Sequence, residues 1–324
     1  MNEDGRTAHG SIKLFSGTGC PDLAAEISQY LGVPLSGREI AQFPNENIFV
    51  QLHESVRGQD VFLIQTTSSP VNYNVMEMLI FLDTLKRASP DRITVVIPYL
   101  AYARSDKKDQ PRVPITARLV ADLIAVAGAD RYVTLDLHAG QIQGFFSIPG
   151  DVMTAFPILS DHFRRRNLNE AVVVAADLGF AKKARNLASE LRMPLALVEK
   201  RRVADDTEAL TLVGDVDGHD VIVVDDEVDT GGSIANAVRV VQEHGARGVY
   251  LCFVHAVFSS RAVERLQALP VKELVTTNSI PIPPEKRLPN LTVLSVAELL
   301  GEVIRRVHEG RSVGEMFRGY HRFK

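Results

Sequence analysis

The chain has 324 residues, 45% of them hydrophobic, and a formal net charge of −4. That length exceeds one typical domain of about 100–200 residues, so two cores are expected, and the charge balance gives no case for nucleic acid or a membrane surface as partner. Cys20 and Cys252 lack any Cys-x-x-Cys or zinc spacing, residues 1–10 lack an apolar signal core, and no apolar run reaches about 18 residues; together these predict reduced thiols and a cytoplasmic location.

Strand-like runs at 12–16, 60–65, 92–97 and 131–135 alternate with helical patterns at 21–31, 71–87 and 116–127. Such alternation predicts an α/β domain with a mainly parallel sheet. After Pro149-Gly150 it begins again, with strands at 171–175, 194–198, 220–224 and 248–257 and helices at 181–192, 234–244 and 261–269. We therefore expect one domain over 1–150 and a second over 151–295, with the closing segment 296–324, helical over 296–309, packing back on the first. Ligands of such sheets bind at the carboxyl ends of the strands.

Residues 221–233 read Val-Ile-Val-Val-Asp-Asp-Glu-Val-Asp-Thr-Gly-Gly-Ser. The pattern is a buried strand, an acidic turn and a helix N-terminus. Small residues let backbone N–H groups converge on an anion and the helix dipole favours it, so 230–233 fits a phosphate cradle. Carboxylates beside a phosphate make sense when they accept hydrogen bonds from sugar hydroxyls or hold a divalent cation. A sugar phosphate is the ligand this proposes, although a solvated acidic loop with an N-cap has the same composition. The stretch resembles the phosphoribosyl diphosphate motif shared by phosphoribosyltransferases and ribose-phosphate diphosphokinases, and alone does not choose between them.

Other segments carry the opposite charge. Residues 104–118 hold five basic and two acidic side chains, and 182–202 seven and two. The long polar loop 98–118 brings Arg104, Lys107 and Lys108 together, Arg104 able to fork onto phosphate or stack on a base, though a solvated charged loop also fits. His138 and Asp177 each stand just past a strand, where metal, phosphate or a purely structural role are all open. Glu199-Lys200-Arg201-Arg202 follows the strand at 194–198 into an expected loop, where adjacent cations suit an anionic transition state or a surface patch. No Gly-x-x-x-x-Gly-Lys-Ser/Thr occurs, which excludes a P-loop kinase.

Together, Pro98-Tyr99, Ala103-Arg104, Asp106-Lys107-Lys108, Asp136-Leu137-His138-Ala139, Gln141-Ile142-Gln143-Gly144-Phe145-Phe146, Lys200-Arg201-Arg202 and Thr277-Asn278-Ser279-Ile280 resemble the ribose-phosphate diphosphokinases, collinearly over about 12–313. Phosphoribosyltransferases are similar over one such domain only and lack the Arg-x-Asp-Lys-Lys and Lys-Arg-Arg pieces. The resemblance implies two phosphoribosyltransferase-like domains and magnesium-dependent transfer of the diphosphoryl group of ATP to the 1-hydroxyl of ribose 5-phosphate, releasing AMP. It implies that Asp225, Asp226, Asp229, Thr230, Gly231, Gly232 and Ser233 bind ribose 5-phosphate and that His138 and Asp177 hold magnesium. It likewise assigns the nucleotide to Arg104, Ser105, Asp106, Lys107 and Lys108, with Phe43, Asn45 and Asn47 contributed by a neighbouring subunit. Lys200 and Arg202 would be the catalytic cations, and a homohexamer built from dimers is implied. Four positions depart from the family pattern. Asn47 stands where Glu is usual and Ser105 where Gln is common, which bears on nucleotide selectivity; Phe180 replaces a second Gly, and Tyr73 an acidic residue or His. A catalytically silent homologue and a phosphoribosyltransferase are the alternatives.

Overall fold

The computed structural model describes residues 9–166, 168, 170–203 and 207–317, the side chains of 200–209 and 317 excepted. They fall into two compact units. The first holds the described residues up to Thr154, joined by Ser279–Pro281 and Ser295–Met316. In chain order it contains β1 (Ile12–Ser16), α1 (Pro21–Leu31), β2 (Arg38–Gln42), β3 (Ile48–Leu52), β4 (Asp60–Ile64), α2 (Val71–Arg87), β5 (Arg92–Ile97), α3 (Thr116–Ala127), β6 (Arg131–Leu135) and β7 (Gly150–Met153). Strands β1-β4-β5-β6-β7 form one sheet in that order, with every neighbour parallel. Its central strands are apolar on both faces: all five residues of β4 are buried. That is the signature of a parallel sheet covered by helices. Leu63, Val95 and Tyr132 of the sheet pack with Met78, Phe81 and Leu85 of α2 and with Ala117, Val120 and Ile124 of α3.

The second unit continues with α4 (Phe156–Arg166), β8 (Ala171–Ala175), α5 (Ala181–Leu191), β9 (Leu195–Val203), β10 (Thr207–Val213), β11 (Asp220–Val228), α6 (Gly232–Glu243), β12 (Gly248–Ala256), α7 (Ala262–Gln267), β13 (Val271–Thr277) and β14 (Leu291–Leu294). Its sheet runs β10-β9-β8-β11-β12-β13-β14, parallel apart from the β9/β10 hairpin. From β8 the chain steps to β9 on one side and returns to β11 on the other. The strand order therefore reverses between β8 and β11, the point at which open α/β sheets open a ligand crevice beyond their strand ends.

The last helix, α8 (Ala297–Glu309), belongs to the first unit. Its His308 Nδ1 lies 2.8 Å from Asp60 Oδ2, and the Asp60 carboxylate also takes a fork from Arg92 at 2.9 and 2.6 Å. Arg92 then reaches the Val307 carbonyl at 3.0 Å, tying helix end to sheet. One turn before His308, the Arg305 guanidinium lies 5.1 Å from the Tyr30 ring centre of α1.

Two expected boundaries are corrected. Strand β9 does not stop at Val198: it runs through Glu199-Lys200-Arg201-Arg202 and pairs antiparallel with β10, Lys200 opposite Leu210 and Arg202 opposite Glu208. The expected loop is a hairpin arm. Likewise Asp225, Asp226 and Glu227 are not a turn but the end of β11. That strand keeps its register with β12, Asp225 beside Phe253 and Val228 beside Ala256, after β8 has ended at Ala175. Backbone pairing to one long neighbour outweighs the poor strand propensity of carboxylates.

Candidate functional site

In the second unit the candidate site begins where β11 outruns β8. The Asp226 N–H donates to Asp225 Oδ1 and the Glu227 N–H to Asp226 Oδ1, both at 2.9 Å, so each carboxylate is aimed by the next amide. Asp225 is half-buried and Asp226 buried. Desolvation, then the charge and hydrogen bond of Asp226 and the charge of Asp177, raise the Asp225 carboxyl well above the usual range. Three carboxylates thus crowd the crevice at the strand-order reversal. Such a cluster is relieved by hydroxyl donors or by a cation.

Beyond Asp229 the backbone turns sharply. Gly231 has φ 75° and ψ 4°, in the left-handed region that costs glycine nothing, and Gly232 opens α6. The first turn of α6 has no side-chain cap, and the Gly231 carbonyl receives the Ala235 N–H at 3.0 Å. A left-handed residue followed by uncapped helical amides is an anion-binding nest. Thr230 and Ser233 are exposed beside it. The next loop, after β12, holds this one in place: Phe258 N–H to Val228 O at 2.9 Å, Ser259 N–H to Asp229 O at 3.0 Å, and the Ser259 hydroxyl to Asp229 Oδ1. From α7, Arg265 Nη1 donates to the Thr230 carbonyl at 2.8 Å. Sequence reading missed Ser259 and Arg265. The adjacency of β11 and β12 that brings them there is a tertiary fact, and no local pattern in Phe-Ser-Ser-Arg marks it.

Asp177 follows β8. Its Oδ1 accepts the Phe180 N–H at 2.9 Å, closing the turn into α5. Phe180, where the resembled family has a second glycine, sits at φ −90° with its ring 5.6 Å from that of Phe156. An ordinary helical φ and a buried ring mean that this turn has no need of glycine. The side chains of Lys200 and Arg202 lie outside the described residues.

In the first unit Arg104, Ser105, Asp106, Lys107 and Lys108 lie in the loop after β5, and His138 in the loop after β6. Thr67 anchors the start of the loop at 98–115, its hydroxyl donating to Tyr99 O at 2.8 Å and accepting the Ala101 N–H at 2.7 Å. Tyr102 then takes φ 63°, with its hydroxyl on Asn72 Oδ1, and presents Arg104 at the surface. Lys107 and Lys108 are exposed, whereas Asp106 is buried and accepts from Gln141 of the next loop. Ser105 turns inward: its carbonyl receives the Ala117 N–H at 3.1 Å and its hydroxyl lies 3.3 Å from that of Thr116, at the start of α3. His138 is exposed just beyond the buried Asp136, which Thr154 holds by a 2.8 Å hydrogen bond.

Phe43, Asn45 and Asn47 form the tip of the β2/β3 hairpin, which was not expected from sequence. The Phe43 N–H donates to Asn47 O at 2.8 Å and the Asn47 N–H to Asn45 Oδ1 at 3.2 Å. These bonds leave Phe43 49% exposed, an aromatic face available for stacking. Tyr73 is explained by a different cluster. Burial raises its hydroxyl, as do the charge and hydrogen bond of Glu77, a carboxylate that also accepts Thr18 N–H at 2.6 Å and Gln65 Nε2 at 3.1 Å. Among the described residues no group of three or more His, Cys, Asp or Glu side chains is arranged to hold a metal ion.

Two family models match the chain: the N-terminal domain of ribose phosphate pyrophosphokinase over residues 12–128, and the phosphoribosyl synthetase-associated domain over 200–318. A ribose-phosphate pyrophosphokinase of Caldanaerobacter subterraneus is 48% identical over 309 residues, covering 95% of this chain and 98% of that one. One from a Nostoc species is 47% identical over 316 residues, covering 97% and 96%. A crystal structure of phosphoribosylpyrophosphate synthetase from Mycobacterium smegmatis superposes with a TM-score of 0.89 at 43% identity, over 93% of this chain and 99% of that one.

Proposed function

Because the chain belongs to the ribose-phosphate pyrophosphokinase family, and so is a diphosphotransferase that makes phosphoribosyl diphosphate, we propose how its own residues divide that work. The observation that carries the reading is the end of β11: aimed carboxylates at the strand-order reversal, followed at once by a left-handed glycine and the uncapped first turn of α6. Asp225, Asp226 and Asp229 accept hydrogen bonds from the ribose hydroxyls, and Thr230, Gly231, Gly232 and Ser233 clasp the 5-phosphate. ATP is the donor, its polyphosphate and base met by Arg104, Ser105, Asp106, Lys107 and Lys108, with Phe43, Asn45 and Asn47 of a neighbouring subunit covering the base. The oxygen of the 1-hydroxyl attacks the β-phosphorus, the bond from that phosphorus to the oxygen bridging the α-phosphorus breaks, and AMP leaves as the hydroxyl proton is lost. Lys200 and Arg202 neutralise the charge that builds on the transferring group, the kind of assistance phosphoryl chemistry needs most.

Magnesium fits the donor set. It favours oxygen, keeps several waters and commonly takes only one or two carboxylates, with substrate phosphates completing its shell. The mutual repulsion of Asp225, Asp226 and Asp177 is what a divalent cation relieves. Asp177, through its carboxylate, and separately His138, through a ring nitrogen, are the residues we assign to magnesium; the metal would supply charge neutralisation on the polyphosphate. We also propose a cytoplasmic homohexamer built from dimers. Two buried free thiols, Cys20 and Cys252, suit a reducing compartment, and Leu119, Leu123 and Val126, exposed on one side of α3, supply apolar surface for a second copy. No helix of the described residues is long and apolar enough to cross a membrane.

The experiment is a coupled assay for AMP. AMP release that requires both ATP and ribose 5-phosphate, disappears with a magnesium chelator and returns on adding magnesium is the expected result. Release unaffected by chelation contradicts the metal role, and no release with any nucleotide donor contradicts the reaction.

A further inference from the structure

We propose that Arg265 is a positioning residue for the 5-phosphate, acting through the peptide that joins Thr230 to Gly231. The inference rests on reading 230–233 as the phosphate cradle. Arg265 stands on α7, and its Nη1 donates to the Thr230 carbonyl at 2.8 Å. The neighbouring cation Arg261 is paired with Glu264 at 2.7 Å, whereas Arg265 directs its guanidinium at backbone. The consequence follows from peptide geometry. Carbonyl and N–H of a trans peptide point in opposite directions, so a guanidinium that fixes the Thr230 oxygen also fixes the Gly231 N–H, facing away from α7. At φ 75° Gly231 can turn that peptide over with little penalty, so something outside the loop must choose its orientation. A charge-assisted bond to the carbonyl chooses it, and polarises the amide so that its N–H becomes a better donor to an anion.

The support around Arg265 is built for this. A Cβ placed on Gly231 would lie 3.7 Å from Ala262 Cα, so α7 backs directly onto the loop, and one placed on Gly232 would lie 3.8 Å from Arg265 Nη1. The turn leading into α7 holds Phe258 at φ 46° and Ser260 at φ 50°. Such conformations persist where the surroundings over-determine them. Here the bonds from Phe258 and Ser259 to Val228 and Asp229 do so, and Ala262 N–H to Ser259 O at 3.0 Å carries the constraint into α7. The β12–α7 loop is thus a splint for the β11–α6 loop, and Arg265 is its charged end.

Steady-state kinetics of the full-length protein with Arg265→Ala, Arg265→Gln and Arg265→Lys test the proposal, with Gly231→Val as the control that distorts the cradle itself. Losing a hydrogen bond from a charged group predicts a rise of about tenfold or more in KM for ribose 5-phosphate in Arg265→Ala, and partial recovery in Arg265→Lys. KM for the nucleotide stays within about twofold, a split that general destabilisation does not produce. If Gly231→Val raises KM for ribose 5-phosphate and the Arg265 variants do not, the positioning role is overturned and the cradle stands. If Gly231→Val leaves it unchanged, the cradle reading fails and the role of Arg265 fails with it. Should Arg265→Ala not fold, Arg265→Gln carries the same test, and a wild-type KM there overturns the proposal.

Discussion

Lys200→Ala is expected to lower turnover about 10²- to 10³-fold, equivalent to about 3–4 kcal/mol of transition-state stabilisation, by analogy with the loss of one preorganised donor to a developing anion. The reason lies in the reaction. Phosphoryl transfer asks little covalent chemistry of a protein; alignment and neutralisation of the transferring group supply most of the rate. A cation that meets this charge chiefly in the transition state affects kcat and kcat/KM together and leaves KM nearly unchanged. Lys200 stands two residues before Arg202 on β9, an arm paired to β10 rather than a free loop. The effects of Lys200→Ala and Arg202→Ala should be less than additive in the double variant, because both act on one transition state. Rapid-quench measurement of a single turnover separates chemistry from product release. Unaltered single-turnover rates in Lys200→Ala would refute the catalytic role.

Asp60→Ala is expected to destabilise the protein by about 3–5 kcal/mol, the scale for removing one partner of a buried ion pair. Asp60 is fully buried at the start of β4 and is the common acceptor for Arg92 and His308. Without it, Arg92 would lack its principal counter-charge and α8 a tie to the sheet. Burial pushes the Asp60 carboxyl up, but hydrogen bonds from His308 and Arg92 and the charge of Arg92 outweigh it and hold the group below its usual value. A carboxyl depressed in the folded state binds its proton more readily when unfolded. Its contribution to stability is therefore complete above the ordinary carboxylate pKa and is lost as pH falls through the folded value. Urea denaturation of the wild-type protein and Asp60→Ala should show a constant gap above ~pH 5 that narrows on acidification. A gap that does not change down to ~pH 3 contradicts the ion-pair account.

Much of the architecture is legible in local pattern, and the exceptions have two physical causes. Strands β1, β5, β6 and β8 and helices α1, α2 and α3 fall where apolar spacing predicts them, because each buries a face or both faces in its own sheet. The β2/β3 hairpin escapes notice: Arg-Glu-Ile-Ala-Gln offers a single large apolar residue, and the pair stands as its own two-stranded sheet. Strand β7, Gly-Asp-Val-Met, is a short edge strand with the same weakness. The ends of β9 and β11 go unread for a different reason. Charged side chains hide a strand whose backbone is held by its neighbour, as Glu227 beside His255 illustrates. The site divides in the same way. The 225–233 motif is visible because strand, carboxylates, glycines and helix are contiguous. Ser259 and Arg265 are invisible because the contacts that matter, to Asp229 and Thr230, join loops some 30 and 35 residues apart. Phe180 and Tyr73, departures that raise questions in sequence, are resolved by a helical φ in one case and by the Glu77 cluster in the other.

The most direct test of the sugar-phosphate pocket is a crystal structure with ribose 5-phosphate bound. The account predicts the ribose hydroxyls on Asp225 and Asp226, and the phosphate against the amides and hydroxyls of Thr230, Gly231, Gly232 and Ser233. Clear density for the sugar elsewhere on the protein, with the 225–233 segment empty, would contradict it.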